Sequence, residues 1–114
     1  MLTIETLNAF GADTKEGLER CFGKEDFLLR LVRMIPDDKN FAKLEEAVAA
    51  GDLRAGFEAA HGLKGVLGNL SLTPLYQPVC EITEYLRAGT EMDYQPLLSE
   101  ILAKRDALRA LCED

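Results

Sequence analysis

Apolar residues recur along the chain at spacings of three and four, which is the spacing of one face of an α-helix. The clearest such stripe runs through the middle of the chain and consists of Leu53, Phe57, Ala60, Leu63, Leu67 and Leu70. Stretches in which β-branched and polar residues alternate, which are typical of half-buried strands, are missing from the sequence. The pattern therefore predicts an all-α protein.

Glycine and proline divide this pattern into segments. Short helices are expected at the N-terminus, within residues 3–35, where Gly11 and Gly23 end two of them and Pro36 interrupts a third. Longer helices are predicted at about 38–50, 53–69, 74–88 and 94–112. Because short loops join these four helices, we expect an antiparallel up-and-down four-helix bundle in one domain over residues 1–114.

Several local features refine these segments. Thr14 is predicted to cap the second short helix, with Leu18 and Phe22 facing inward. Asp52 is predicted to cap the helix that starts at residue 53. Pro78 lies one turn inside the next helix and lacks a backbone donor, so we expect either a kink or a helix that begins only near Pro78.

Composition and charge exclude several classes of function. The formal net charge of -7 argues against a nucleic-acid partner and against anionic membrane surfaces. No apolar run approaches the roughly 20 residues that cross a bilayer, and the first residues do not resemble a signal peptide. We therefore expect a soluble, cytoplasmic protein.

The cysteines and the histidine make a metal site improbable. Cys21, Cys80 and Cys112 are odd in number and widely spaced, so we interpret them as buried or half-buried thiols. His61 is the only histidine of the chain. No zinc site of usual ligand spacing can be assembled from these residues, and we expect none.

His61 has unusual neighbours for a helical segment. At about 100° per residue, His61, Lys64, Gly65 and Gly68 lie along one face, beside the apolar stripe rather than within it. Each glycine costs about 1 kcal/mol relative to alanine in a helix interior. The imidazole is therefore expected at an exposed flank of the core, next to a cation and bare backbone.

Plainer interpretations exist for each of these residues. A lone histidine is usually a surface or boundary residue, and a lone lysine is usually solvated. The glycines can instead permit close helix packing, which is the preferred interpretation for Gly62 because it points away from His61.

The run from Ala60 to Gly65, Ala-His-Gly-Leu-Lys-Gly, followed by further small residues, resembles the His-x-x-Lys-Gly signature of histidine-containing phosphotransfer (HPt) domains. Gly51-Asp52 is similar to a Gly-Asp turn that is frequent in that family, and the predicted helix layout resembles the family over nearly the whole chain. Two positions depart from its pattern. Ser71 stands where a glycine is often found, and Thr83 stands where some members have a glutamine near the imidazole.

The resemblance implies a role for each residue of this face. His61 would be the phosphoryl acceptor and donor, and Lys64 would offset the phosphoryl charge. The residues expected on a partner-docking face are Gly65, Gly68, Arg54 and Thr83.

The resemblance also implies the partners. Receiver domains of response regulators would supply the aspartate and the Mg²⁺, so this chain is expected to need no cofactor. We also expect the chain to work as a monomer. A hybrid sensor histidine kinase is a further partner that the resemblance allows. The chain has no nucleotide-binding loop and no acidic metal cluster, so we expect a relay without kinase activity. The alternative is a helical adaptor that is never phosphorylated and docks a signalling partner through the same face.

Overall fold

The computed structural model describes residues 1–113 and contains no β-strand in that range. Its seven α-helices are α1 (Ile4–Phe10), α2 (Thr14–Arg20), α3 (Glu25–Met34), α4 (Asn40–Ala50), α5 (Leu53–Asn69), α6 (Thr73–Arg87) and α7 (Gln95–Cys112). One turn of 3₁₀ helix, Ile35–Asp37, joins α3 to α4. The all-α prediction is confirmed.

The four long helices form the bundle. Helix α4 packs on α5, α5 on α6 and α6 on α7, and α7 contacts α4 to close the ring. Short loops connect the successive helices, so neighbours run in opposite directions. The short α1 packs on α7, and α2 contacts both α1 and α3. This arrangement is the up-and-down four-helix bundle with short N-terminal helices that the apolar pattern predicted.

The bundle core takes large apolar side chains from all four long helices. Among those that are fully buried are Phe41, Leu44, Leu63, Leu67, Leu75, Ile82, Ile101 and Leu108. Burial of one such side chain contributes about 1.5–3 kcal/mol. Because α5 packs between α4 and α6, one side of it is committed to this core and the other remains at the surface.

The turn between α4 and α5 determines where His61 lies. Gly51 ends α4 in a left-handed conformation (φ 68°), which glycine adopts without steric cost. The carboxylate of Asp52 then accepts a hydrogen bond from the backbone N–H of Ala55 at 3.0 Å and caps α5. His61 consequently lies near the middle of α5, far from either end.

Two local predictions are wrong, and one alternative is excluded. Asp13, not Thr14, caps α2, since its carboxylate accepts from the Glu16 N–H at 3.0 Å. Phe22 is 83% exposed because α2 ends at Arg20 and the chain turns outward, with Phe22 at φ 59°. Of the two alternatives for Pro78, the late start is excluded, because α6 begins at Thr73 and includes a buried Pro78.

The remaining expectations concern cysteines and membranes. Cys21 is buried, Cys80 and Cys112 are half-buried, and all three are free thiols, as predicted. Among the described residues, no helix combines the length and the apolar character needed to cross a membrane.

Candidate functional site

An open cleft of about 490 Å³ lies beside the middle and the end of α5. Helix α5 forms one wall, and α2 together with the start of α6 forms the other. The cleft is lined by His61, Lys64, Gly65, Gly68 and Asn69 of α5, by Asp13, Glu16 and Arg20, and by Ser71, Thr73 and Tyr76. The four residues predicted to share one face of α5 therefore line one concave surface.

The imidazole of His61 is exposed and stacks on a neighbouring ring. The ring centroids of Phe57 and His61 are 5.6 Å apart and their planes are inclined by 22°. The Arg87 guanidinium of α6 lies over the same Phe57 ring, 5.4 Å from its centroid. Sequence reasoning placed Phe57 only in the apolar stripe, although an aromatic residue four positions before a histidine on a helix is a signal for this contact.

Lys64 and Gly65 follow one turn after the histidine. Lys64 is half-buried and brings its positive charge to the cleft. A Cβ atom added at Gly65 would meet no heavy atom within 4 Å, so the backbone there faces open space. The surface one turn after His61 is thus unobstructed at Gly65.

The other two glycines of the segment serve helix packing. A Cβ at Gly68 would lie 3.0 Å from Cε1 of Tyr76, so the space beside Gly68 is taken by that ring and not kept open for a partner. A Cβ at Gly62 would lie 2.7 Å from Nδ2 of Asn40 in α4, in agreement with the packing interpretation preferred for Gly62. The Cys80 side chain raises the pKa of Tyr76 above its ordinary value.

Thr83 does not belong to the docking face, and that prediction is wrong. Its side chain is fully buried, and its hydroxyl donates to the backbone carbonyl of Val79 at 2.5 Å. The hydroxyl is therefore engaged by the backbone of its own helix. The contact that orients His61 comes from Phe57 instead.

Arg54 lies outside the cleft. Its side chain is 91% exposed and pairs with Glu58 one turn later, at 3.7 Å. An exposed pair of this kind contributes only a few tenths of a kcal/mol. Arg54 is thus free to contact a partner, but it is not part of the cleft that contains His61.

Helix α2 and its N-cap, on the side of the cleft opposite α5, are hydrogen-bonded to the turn that follows α5. The Ser71 hydroxyl donates to the Glu16 carboxylate at 2.9 Å, and the Asp13 N–H donates to the Ser71 carbonyl at 3.0 Å. Glu16 also pairs with Arg20 at 3.2 Å. Ser71 itself is in the left-handed region at φ 54°, where glycine is favoured. Nothing in the local sequence pattern pointed to Asp13, Glu16 or Arg20 as lining residues.

The arrangement favours reactions with an anionic group brought by a partner. The neutral form of an exposed imidazole is a nucleophile, and an ammonium in the same cleft offsets negative charge that arrives there. Residues 1–113 contain no group of three or more His, Cys, Asp or Glu placed to hold a metal ion.

Comparison with known proteins identifies the family. A protein-family model described as the Hpt domain matches residues 30–113, a range that includes α4 to α7. A search of curated proteins and a search of solved structures give no significant match.

Proposed function

The chain belongs to the Hpt domain family, and from that premise we propose that His61 is the residue that accepts and donates the phosphoryl group. Hpt domains act in histidine phosphotransfer within phosphorelays and interact with receiver domains of response regulators. The observation that carries the assignment is the position of the only histidine, which is exposed at mid-helix next to open backbone at Gly65.

The transfer step needs little from this chain. A lone pair of a His61 ring nitrogen forms the N–P bond while the P–O bond to the receiver aspartate breaks, and that oxygen leaves with its electrons as a carboxylate. The phosphoryl group carries about two negative charges near neutral pH, which Lys64 offsets. The reverse step returns the group to an aspartate.

Most of the remaining catalytic machinery is assigned to the partner. Hpt domains are phosphocarriers without intrinsic kinase activity, so the phosphoryl group is supplied by another protein. We assign the Mg²⁺ to the receiver domain and propose that this chain needs no cofactor of its own. A hybrid sensor histidine kinase is a second proposed partner, and we propose that the chain acts as a monomer.

The test is phosphoryl transfer in vitro. Candidate receiver domains are phosphorylated with a small-molecule donor and mixed with the wild-type chain or with His61→Gln. The expected result is an acid-labile, alkali-stable phosphoryl group on the wild-type chain only. If the two proteins are labelled alike, His61 is not the acceptor.

The same experiment distinguishes the adaptor alternative. If neither protein is labelled by any receiver and both bind the receivers with equal affinity, the chain is a docking protein whose histidine is not phosphorylated. Pure docking does not require His61 beside Lys64, so this outcome would also leave the pair without a function.

A further inference from the structure

A second concave surface lies next to the cleft, and Asn69 lines both. This groove has a volume of about 990 Å³ and is formed by the end of α3, the 3₁₀ turn, the start of α4 and the end of α5. His61 and Lys64 do not line it. The groove is therefore a neighbour of the His61 cleft and not a part of it.

The apolar lining of the groove is exposed to solvent at Met34 and in part at Leu31 and Val66, while Ile35 and Leu70 are buried. The apolar residues that line it are Leu31, Met34, Ile35, Val66 and Leu70. Met34 is 64% exposed, although the periodicity of α3 is strongly amphipathic and its other face is buried in the core. A methionine side chain is unbranched and polarizable, so it adapts to differently shaped apolar partners. An exposed methionine among apolar neighbours is suited to contact with a second apolar surface.

Four cationic residues line the groove, in a protein that is acidic overall. Arg30, Arg33, Lys39 and Lys43 line it, while the whole chain has a net charge of -7. Among the described residues, none of these four forms an ion pair within the chain.

The two carboxylates of the groove are already engaged. Asp37 pairs with Arg109 at 3.1 Å, and Asp38 accepts from the Asn40 N–H at 2.8 Å. A backbone N–H does not cancel the charge of a carboxylate, but the four cations of the groove outnumber its two carboxylates, one of which is paired with Arg109, so the groove keeps an excess of positive charge. A groove lined by both apolar residues and cations without an ion pair is complementary to an apolar stripe flanked by carboxylates.

We propose that this groove docks an acidic amphipathic helix of a partner protein. The apolar stripe of that helix would cover Met34 and its apolar neighbours, as in other helix-in-groove interactions, and its carboxylates would face the four cations. Docking here would place the partner beside the His61 cleft. The proposal does not depend on phosphoryl transfer, because none of the groove residues is assigned a role in it.

The probe is a set of fluorescein-labelled synthetic peptides of about 18 residues, or five helical turns. One peptide carries a leucine stripe flanked by glutamates, the second has lysine in place of every glutamate, and the third has serine in place of every leucine. Fluorescence anisotropy with the full chain measures their affinities. We expect the leucine-glutamate peptide to bind about ten-fold tighter than either of the others, and its affinity to fall as salt is raised.

Variants locate the binding surface. Lys39→Glu combined with Lys43→Glu is expected to weaken the leucine-glutamate peptide about ten-fold or more. The matched control, Lys15→Glu combined with Lys104→Glu, makes the same change in net charge outside the groove and is expected to leave the affinity within about two-fold. Met34→Ser, a change at an exposed position that does not disturb the core, is expected to weaken binding as well.

Several outcomes overturn the proposal. These are equal affinities for the three peptides, equal losses in the groove and control variants, or amide chemical-shift changes in NMR spectra that avoid Val66, Asn69 and Leu70. Preferential binding to vesicles containing phosphatidylserine, lost in the groove variant, would assign the groove to an anionic membrane surface instead. If circular dichroism shows that the variant with Lys39→Glu and Lys43→Glu is unfolded, the proposal is judged from the peptide affinity of Met34→Ser and from the chemical-shift changes in the wild type.

Discussion

The ring of Phe57 stacks on the imidazole of His61, with centroids 5.6 Å apart and planes inclined by 22°. The two residues are separated by one turn of α5. The guanidinium of Arg87 lies over the same Phe57 ring and also pairs with Glu84 at 3.5 Å within α6. The imidazole is therefore positioned by its own helix and, through Arg87, by the neighbouring one. Its orientation does not require Thr83.

Replacing Phe57 by leucine keeps an apolar side chain and removes the stacked ring. Aromatic pairs contribute about 0.5–1.5 kcal/mol beyond their burial. If the stack prepares His61 for attack, Phe57→Leu slows transfer from a phosphorylated receiver by about two- to ten-fold, measured by rapid quench. Phe57→Tyr retains the ring and is expected to transfer at the wild-type rate. Equal rates for Phe57→Leu and wild type would show that the stack has no part in the reaction.

Two cationic residues line the cleft, Arg20 and Lys64, and Lys64 is the nearer of the two to His61 in sequence. We expect Lys64→Ala to slow transfer by about ten-fold, because a charge-assisted contact is worth roughly 1.5–3 kcal/mol and solvent reduces its effect here. Lys64→Arg, which keeps the charge, is expected to retain most of the rate. Circular dichroism should be the same for all three proteins. Loss of helicity in Lys64→Ala would instead make this lysine a structural residue.

Gly65 and Gly68 are expected to have different roles. Gly65 leaves space for a partner, and Gly68 allows close packing against Tyr76. Gly65→Ala places a methyl group in open space, so it is expected to stabilise the protein by about 1 kcal/mol through helix propensity while slowing transfer. Gly68→Ala brings the new methyl to about 3.0 Å from the Tyr76 ring, and its stability should fall below that of Gly65→Ala. Urea unfolding measures both. Equal stabilisation in the two variants would contradict the distinct roles.

The parts of the fold that were predictable depend on neighbouring residues in the chain. Gly51 and Asp52 end one helix and cap the next, so the limits of α5 at Leu53–Asn69 follow from local chemistry. The apolar stripe of α5 likewise specifies which side of the helix is buried. Together they place His61 at mid-helix on an exposed flank.

The parts that were not predictable depend on packing between distant elements. Glu16 and Ser71 meet across 55 residues of sequence, and no local pattern links α2 to the turn after α5. Thr83 is polar, yet the seating of α6 in the bundle buries it, and its hydroxyl is satisfied by Val79. The resemblance assigned Thr83 a place near the imidazole, but it carried no information on how α6 is rotated.

Ionisation of Tyr94 is expected to lower the stability of the protein at alkaline pH. Its side chain is almost fully buried, and its hydroxyl donates to the Thr90 carbonyl at 2.7 Å. Burial, with a smaller effect of the Glu91 charge, raises the pKa of Tyr94 above the ordinary value of 10.0. The unfolded chain therefore loses this proton first. The stability contributed by Tyr94 is complete below pH 10 and is lost as the pH rises through the pKa of the folded state.

Urea unfolding of wild type and Tyr94→Phe between about pH 8 and pH 11 measures this contribution. At pH 8 the variant should be less stable by about 1 kcal/mol, the usual value of a lost hydrogen bond. Above pH 10 the difference should narrow, because only the wild type has a phenol to ionise at this position. A constant difference across the range would show that Tyr94 ionises equally in both states.

Ser71 combines a strained backbone with a useful side chain. At φ 54° a residue with a Cβ costs about 1–2 kcal/mol relative to glycine, while the hydroxyl bond to Glu16 contributes about 1 kcal/mol. Ser71→Ala loses the bond and keeps the strain, so it should be destabilised by about 1 kcal/mol. Ser71→Gly loses the bond and relieves the strain, so its free energy of unfolding should equal or exceed that of wild type.

At the exposed Ser99 within α7 the order should reverse, with alanine more stable than glycine by about 1 kcal/mol. The same order at both positions would show that the left-handed backbone at Ser71 carries no cost.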